Sequence, residues 1–223
     1  NLYPKKYKNI FFSNNDELSK KLKNINADYF INFATLYNND HSHHQIKDFI
    51  NSNILFPTII YDMISDKTKK MINFGSMMQH SKDENLVSKN FYAATKNAFE
   101  MIGNYYATKN KKTKFYNIKF YESVGDNDKR KKIIPTIINN YKKNTTTNIL
   151  SKKLALNVIH TDDIINSIMI LLNNDIKSGS YCIKNKYNIK ISSLINNLNK
   201  GINKIVRDKI IDIWLLKTIR NKK

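Results

Sequence analysis

Short apolar runs alternate along the chain with longer segments whose apolar residues recur at helical spacing. Runs typical of buried parallel strands lie at residues 9–12, 28–34, 71–74, 114–120 and 180–184. Helix-like segments lie at residues 16–22, 45–65, 91–107, 132–141, 162–172 and 192–199. Strands and helices in this alternating order predict an α/β fold, a doubly wound parallel sheet with helices on both faces.

Two places disturb this regular pattern. Pro57 falls inside the helix predicted over residues 45–65, where its ring and missing N–H must bend or interrupt the helix. The tail after Gly201 is basic and contains one amphipathic stretch around residues 211–216. At the other end, Asn15 or Asp16 is the predicted cap of the first helix.

Length and composition favour one sizeable globular domain, or one domain with a small appendage, over a disordered or membrane-spanning chain. The 223 residues are 41% hydrophobic, and no stretch reaches the roughly 18 apolar residues that cross a bilayer. The first residues do not resemble a signal peptide, and Cys182 is the single cysteine, so no internal disulfide forms. We therefore expect a cytoplasmic protein, and the missing initiator Met suggests that the chain begins mid-protein.

The formal net charge of +20 raises the question of a nucleic-acid partner. The lysines are spread along the whole chain, and the densest cluster is residues 129–132. The sequence has no basic recognition helix and no aromatic stacking motif, so we expect neither nucleic acid nor a membrane as partner. A basic surface would instead attract a negatively charged nucleotide substrate.

Three residues form a candidate catalytic group. Ser76 follows a predicted strand, while Tyr92 and Lys96 are four residues apart on a predicted helix and share a face. Carbonyl reduction needs a proton for the nascent alkoxide, and an ammonium one turn away would lower the tyrosine pKa. A serine hydroxyl would polarise the same oxygen. Alone, this Tyr-x-x-x-Lys spacing is better explained by a core aromatic residue beside a solvated lysine, and only the surrounding segments change that balance.

Other polar clusters have simpler explanations. His41, His43 and His44 lie in a polar loop with no neighbouring cysteine or carboxylate, so we predict no metal site. Asp162 and Asp163 open a predicted helix, where capping explains them better than acid–base chemistry. The expected state of Cys182 is that of a small buried hydrophobic residue.

Several segments together resemble the extended short-chain dehydrogenases, the NAD-dependent epimerase/dehydratase family. Within it the chain looks closest to reductases of the CDP-abequose and CDP-paratose synthase type. The resembling segments occur in the family's order, at residues 31–37, 52–57, 75–80, 92–96, 119–130 and 160–163. They include the Gly-Ser-x-x-Gln-His run at residues 75–80 and the Tyr-Ala-Ala-Thr-Lys run at residues 92–96. The occurrence of all these segments in one chain and in this order is far more specific to the family than any single segment.

The resemblance implies a role for each matching residue. Ser76 would orient the sugar ketone, Tyr92 would be the general acid, and Lys96 would bind the nicotinamide ribose. The cofactor, NAD or NADP, would also meet three residues before the catalytic helix, Ala34, Thr35 and Asn53, the last near the cofactor or bracing the geometry. The substrate would meet Gln79, His80, Arg130 and Lys132, the last two at its pyrophosphate, although a solvated basic loop explains them equally well.

The chain departs from the family's pattern in its glycines. The family's first strand leads into a Gly-x-x-Gly-x-x-Gly turn at the cofactor pyrophosphate, but no two of the five glycines here are close enough to form it. We therefore expect a Rossmann-like sheet that lacks its first βαβ segment. Residues 1–125 would be the remainder of the dinucleotide-binding domain, and residues 126–223 mainly a substrate-binding part.

These expectations leave three functions open. The first is NAD(P)H-dependent reduction of a 4-keto group on a nucleotide-linked deoxysugar, with a CDP-sugar as partner, for surface polysaccharide synthesis. The second is an epimerase of the same fold, whereas a dehydratase would want an acid where Met77 and Met78 follow Ser76. The third is a remnant that no longer binds cofactor. The family's habit also implies a homodimer.

Overall fold

A computed structural model describes residues 10–80, 87–126, 128–130, 132–148, 151 and 153–198, and the backbone of residues 211–215. In chain order its helices and strands are α1 (Asn15–Leu22), β1 (Tyr29–Asn32), α2 (Ile46–Ile50), α3 (Phe56–Ile64), β2 (Lys70–Phe74), α4 (Phe91–Lys109), β3 (Lys114–Lys119), β4 (Glu122–Val124), α5 (Ile133–Lys142), β5 (Ala155–Leu156), β6 (Val158–His160), α6 (Thr161–Asn173), β7 (Gly179–Asn185), β8 (Ile189–Lys190), α7 (Ile191–Asn196) and β9 (Ile211–Leu215).

The main sheet has five strands in the order β1-β2-β3-β7-β9. The first four run parallel, and β9 pairs antiparallel with β7. The register places Asn32, Asn73 and Asn117 side by side on β1, β2 and β3. Parallel strands end at one edge of the sheet, so the loops after β1, β2 and β3 meet there.

Helices cover both faces of this sheet, which confirms the doubly wound fold predicted from the sequence. On one face, α1, α3 and α4 pack on Met71 and Phe115 around the buried ring of Tyr61. On the other face, α6 packs on strand residues such as Ile72 and Ile118. Buried parallel strands need apolar cover on both faces, and the short apolar runs of the sequence reflect that requirement.

The second half of the chain has a smaller core of its own. Two-stranded sheets pair β4 with β6 and β5 with β8. Between them, buried apolar residues of α5 and α7 form a cluster with Val124 and Val158. The strand β7 and the helix α6 nevertheless belong to the main sheet and its cover. The boundary between residues 125 and 126 stays a prediction, and this separate core is the feature that favours it.

The strand predicted at residues 9–12 is wrong for its described part, residues 10–12. Phe11 and Phe12 are exposed, and Phe12 stacks on Phe56 with ring centroids 5.8 Å apart. The described part of this apolar run packs on the surface of α3 and does not form a β-strand. The first helix also begins one residue earlier than predicted, because Asn14 accepts a hydrogen bond from the Glu17 N–H as its cap.

The helix predicted over residues 45–65 runs on through Pro57. A π-helical segment at Asn51–Leu55 joins α2 to α3, and Pro57 stands in the first turn of α3. An intervening π turn re-satisfies the backbone that a proline would otherwise disturb. At α6 the cap is His160, whose Nδ1 accepts from the Asp162 N–H, whereas Asp162 and Asp163, for which the sequence favours capping, stand in the first turn.

Two further predictions concern single features. Cys182 is buried on β7, and burial raises the pKa of its thiol to about 11. That agrees with an inert hydrophobic role. Among the helices that are described, none is both long and apolar enough to cross a bilayer. Parts of several predictions, including Asn9, Lys131 and residues 216–223, lie outside the described residues.

Candidate active site

The helix α4 brings the predicted tyrosine and lysine to the carboxyl edge of the sheet. Its N-terminus is capped by Asn90, whose side chain accepts a hydrogen bond from the Ala93 N–H at 3.0 Å. Tyr92 and Lys96 follow one turn apart, and both are buried. The two therefore project from one face, as their spacing predicts.

A cavity of about 760 Å³ opens beside this edge. Its walls include Thr35 after β1, Ser76 after β2, and Tyr92 on α4. Arg130 and Lys132 line the same cavity from the loop that follows β4. The structure thus places two of the predicted catalytic residues, Ser76 and Tyr92, around one space with both predicted phosphate ligands.

A second cavity of about 810 Å³ adjoins the first. Tyr37, Met78 and Tyr121 line both, so they separate the two spaces. The walls of the second carry His80 and several basic residues, namely Lys89, Lys184 and Lys186. This basic lining suits an anionic ligand.

Ser76 caps a short 3₁₀ turn at Met77–Gln79. Its Oγ accepts from the Met78 N–H at 3.2 Å, which leaves its hydroxyl hydrogen able to donate to another group. Gly75 permits a close approach here, since a Cβ at this position would lie 2.5 Å from Gln79 Oε1 and 2.9 Å from Asn117 Nδ2. A larger residue here would have to displace the side-chain oxygen of Gln79, which accepts from the Ser76 N–H.

Burial governs the ionisation of Tyr92. It raises the pKa of the phenol to about 12, although a side-chain hydrogen bond with Thr35 acts in the opposite direction. The ring of Tyr37 meets that of Tyr92 edge-on, with centroids 4.9 Å apart. The sequence predicts that Lys96 lowers this pKa, but burial of the phenol raises it instead, so Tyr92 is a protonated donor at neutral pH.

Lys96 stands one turn beyond Tyr92 on α4, is only 2% exposed, and is not among the residues that line either cavity. Burial lowers the pKa of its ammonium to about 8. Among the described residues, none accepts a hydrogen bond from this ammonium or pairs with it. A buried cation without a partner is costly, and such a group needs oxygen acceptors from elsewhere. The hydroxyl groups of a ribose fit that need.

The three predicted cofactor residues before α4 take different positions. Thr35 lines the first cavity. Ala34 is exposed and donates its N–H to Asn32 Oδ1 at 3.1 Å. It is not among the residues that line either of the two cavities. Asn53 is 1% exposed in the π-helical segment.

The side chain of Asn53 fastens the loop after β1 to the catalytic helix. Its Oδ1 accepts from the Leu36 N–H at 2.7 Å and from Thr35 Oγ1 at 3.2 Å. Its Nδ2 donates to the Leu36 carbonyl at 2.9 Å and to Thr95 Oγ1 at 3.0 Å. With all of these bonds made inside the protein, the geometry favours the bracing role over direct cofactor contact.

Gln79 and His80 also occupy different environments. Gln79 is fully buried, accepts from the Ser76 N–H at 2.8 Å, and donates to Asn97 and Glu100. Because those bonds use its amide, it holds the Ser76 turn, and direct substrate contact finds no support in this arrangement. His80 lines the second cavity, and its Nε2 lies 2.9 Å from Lys119 Nζ. An ammonium only donates, so His80 Nε2 accepts.

The two predicted phosphate ligands are held by acidic residues of their own loop region. Arg130 makes an ion pair of 2.5 Å with Asp128, which lowers the pKa of that carboxyl, and it also donates to the carbonyl of Ser123. Lys132 pairs with Glu122 at 3.3 Å and lies 5.3 Å from the ring centre of Tyr37. A phosphate would therefore compete with carboxylates for both cations.

Several functional neighbours were missed by sequence reasoning. Tyr37 separates the two cavities and contacts Tyr92. Glu100 and Lys119 form a buried ion pair of 2.8 Å beneath the Ser76 turn. Glu100 stands four residues after Lys96, so the spacing of Tyr92, Lys96 and Glu100 on one helix face was the available signal.

No metal site was predicted, and the described residues give no group of three or more His, Cys, Asp or Glu side chains placed to hold a metal ion. The loop histidines His43 and His44 lie in a short 3₁₀ turn, and His41 stacks on Phe91 with ring centroids 4.4 Å apart. Asp163 is buried in the first turn of α6 beside the His160 cap.

Comparison with known proteins gives a family match over most of the chain. The model of the NAD dependent epimerase/dehydratase family matches residues 5–189. A CDP-abequose synthase of Yersinia pseudotuberculosis is 30% identical over 168 residues, which is 74% of this chain and 58% of that protein. A CDP-abequose synthase of Salmonella muenchen is 23% identical over 76% of this chain and 56% of that protein. The chain thus spans a little over half the length of these relatives.

Solved structures resemble the fold as well. A UDP-glucuronic acid 4-epimerase from Bacillus cereus, in complex with NAD, superposes with a TM-score of 0.70. The match covers 82% of this chain and 61% of that one, at 17% sequence identity. This likeness supports the α/β fold with its parallel sheet.

Proposed function

The chain belongs to the NAD-dependent epimerase/dehydratase family, and from that membership we propose that it carries the catalytic part of a nucleotide-sugar reductase. The proposed reaction is NAD(P)H-dependent reduction of a 4-keto group on a CDP-linked deoxysugar. The relatives named CDP-abequose synthase support the CDP-sugar substrate. Synthesis of a surface polysaccharide sugar in the cytoplasm, by a homodimer, completes the proposal.

One observation carries this proposal most directly. The buried Lys96 ammonium lies one helical turn beyond Tyr92, and no described residue satisfies it. Tyr92 and Ser76 line one cavity of about 760 Å³. An unsatisfied buried cation on the helix that carries Tyr92 to this cavity supports the binding of the ribose of a nicotinamide cofactor.

The proton chemistry follows from the side chains of the chain itself. Ser76 donates its hydroxyl hydrogen to the ketone oxygen and orients it. Tyr92, with its pKa raised to about 12 by burial, holds its proton at neutral pH and transfers it to that oxygen as negative charge develops. Lys96 would hold the ribose hydroxyl groups of the cofactor and would keep positive charge one helical turn from the phenol. A reduced nicotinamide bound there would supply the hydride.

The acidic residues of the cavity walls favour reduction over dehydration. Elimination of water needs a carboxyl group close to the serine, where Met77 and Met78 stand instead. The wall of the first cavity holds Asp126 and Asp128, and Asp128 is paired with Arg130. The Arg130 guanidinium lowers the pKa of the Asp128 carboxyl, which makes that carboxylate a poor base.

A direct test supplies the folded chain with a CDP-4-keto-3,6-dideoxyhexose and either NADPH or NADH, and follows both cofactor and sugar. The proposal predicts one reduced nicotinamide consumed for each 4-hydroxyl sugar formed. Interconversion of 4-hydroxyl epimers with no net cofactor consumption would support the epimerase instead. A folded chain that binds neither cofactor would contradict the proposal and favour a remnant without a cofactor site.

A further inference from the structure

A buried network of polar side chains joins the Ser76 turn to the helix that carries Tyr92. Glu100 lies on α4 two turns beyond Tyr92, with 11% of its side chain exposed. Its Oε2 accepts from Gln79 Nε2 at 2.7 Å and pairs with Lys119 Nζ at 2.8 Å. Its Oε1 accepts from the hydroxyl of Ser180 on β7. One carboxylate thus collects donors from the Ser76 turn and from two strands.

Gln79 is the link from this carboxylate to the catalytic serine. Its Oε1 accepts from the Ser76 N–H at 2.8 Å, while its Nε2 reaches both Glu100 and Asn97 on α4. Only one side chain therefore separates Glu100 from the backbone of Ser76. The absence of a Cβ at Gly75 leaves the space that Gln79 Oε1 occupies.

Resting on the proposed function, we propose that Glu100 is a positioning residue that sets Ser76 relative to Tyr92 through Gln79. Glu100 and Tyr92 share one rigid helix, whereas Ser76 stands on a turn after a different element. Without a link, the separation between the two hydroxyl groups would depend on a three-residue turn. Displacement of a catalytic group by about 1 Å costs about 10²-fold in rate, so such a link affects catalysis.

Lys119 is the buried cation that pairs with the Glu100 carboxylate. It is 1% exposed, and its charge needs the Glu100 carboxylate, because a buried cation without a partner is strongly destabilising. A variant at Glu100 therefore has two consequences, a lost link to Ser76 and a stranded ammonium. An experiment must separate them.

The test measures hydrogen exchange of the Ser76 amide in the folded full chain. In Glu100→Gln we expect this amide to exchange at least ~10-fold faster relative to the control, since Gln79 loses its charged acceptor. The control is Tyr106→Phe on the same helix, which removes the 2.9 Å bond to Asp62 but touches nothing in the network. Exchange at Ser76 equal to that of the control would overturn the proposal.

The double variant Glu100→Gln/Lys119→Met removes the stranded charge. We expect it to regain stability while the Ser76 amide still exchanges fast. Recovery of Ser76 protection would instead assign the effect to the stranded ammonium and overturn the positioning role. In both variants kcat should fall roughly 10- to 100-fold, with KM within about twofold. An unchanged kcat in the variants would overturn the positioning role of Glu100. If the wild type shows no turnover, the proposed function is refuted, and the exchange rate of the Ser76 amide alone then tests whether Glu100 positions Ser76.

Discussion

The two sides of the first cavity are built in different ways. On the side of Ser76 and Tyr92, buried polar groups behind the wall are tied to one another and to rigid strands and a helix. On the opposite side, Arg130 belongs to a loop, where it forms an ion pair with Asp128 and its side chain is partly exposed to solvent. Under the proposed function, the first side would be preorganised for proton transfer, and the second would have to exchange an internal carboxylate for a substrate phosphate.

The ion pairs on the two sides express this difference. In the Lys119–Glu100 pair the lysine side chain is 1% exposed, whereas in the Arg130–Asp128 pair the arginine side chain is 45% exposed. Water screens the second pair and scarcely reaches the first. The buried pair therefore fixes geometry, while the exposed pair can open for a ligand.

The largest expected effect follows from removing the proton donor on the preorganised side. Tyr92→Phe should lower kcat by about 10²–10⁴-fold, because the phenol supplies the proton to the developing alkoxide. The matched control is Tyr105→Phe, on the exposed side of the same helix. Steady-state assays with a keto-sugar substrate check both, and equal rates for the two variants would remove Tyr92 from the mechanism.

A comparison of two lysines tests the difference in stability between the sides. Lys119→Met strands the buried Glu100 carboxylate and should cost about 3–5 kcal/mol in the free energy of unfolding. Lys132→Met breaks a partly exposed pair with Glu122 and should cost less than about 1 kcal/mol. Urea unfolding of both variants gives the values. Similar losses would mean that the two sides do not differ as described.

The depressed pKa of Lys96 gives a pH-dependent prediction. Its ammonium titrates at about 8 in the folded chain against an ordinary value of 10.5. Between those values the unfolded chain binds more protons, so stability rises with pH, by about 3 kcal/mol in full. Unfolding at pH 7.5 and pH 10 should therefore show Lys96→Met more stable than wild type at the lower pH, with a smaller gap at the higher. A gap that does not change with pH would contradict the buried, unpaired ammonium.

The smallest effect is expected at the exposed pair. Asp128→Asn frees the Arg130 guanidinium, so the KM for a nucleotide-sugar should fall by roughly two- to fivefold with kcat unchanged. Kinetics at low and high salt check the prediction, since the gain should shrink as salt screens the phosphate. A raised KM would mean that Asp128 itself orients the substrate loop.

Local patterns explain why the strands and the catalytic helix could be predicted. The strand at residues 71–74 and the helix from Phe91 follow from period and capping, which depend on neighbours in sequence. Tyr92 and Lys96 belong to one short run, so their shared face also followed from spacing. The strands β4 and β6 escaped prediction because each has three residues and gains its pairing from the other, far along the chain.

The roles of the buried residues depended on contacts that no local pattern contains. Gln79 belongs to the recognised run at residues 75–80, but only the fold shows that its amide is used by Ser76 and α4. The family resemblance predicts Arg130 as a phosphate ligand, while its bond to Asp128 depends on loop geometry that the sequence does not contain. The run at residues 10–12 failed for the same reason, since its apolar residues pack on a helix rather than on a strand.

The central claim is that a nicotinamide cofactor binds at the side of the cavity lined by Tyr92 and that Lys96, one helical turn further along α4, contributes to this binding. Equilibrium titration of NADPH and NADH onto the folded chain tests it, with Lys96→Met beside wild type and Lys109→Met as the exposed control on the same helix. The account predicts saturable binding by wild type and control, weakened about tenfold or more in Lys96→Met. No binding by the folded wild type, or equal affinity in Lys96→Met, would contradict it.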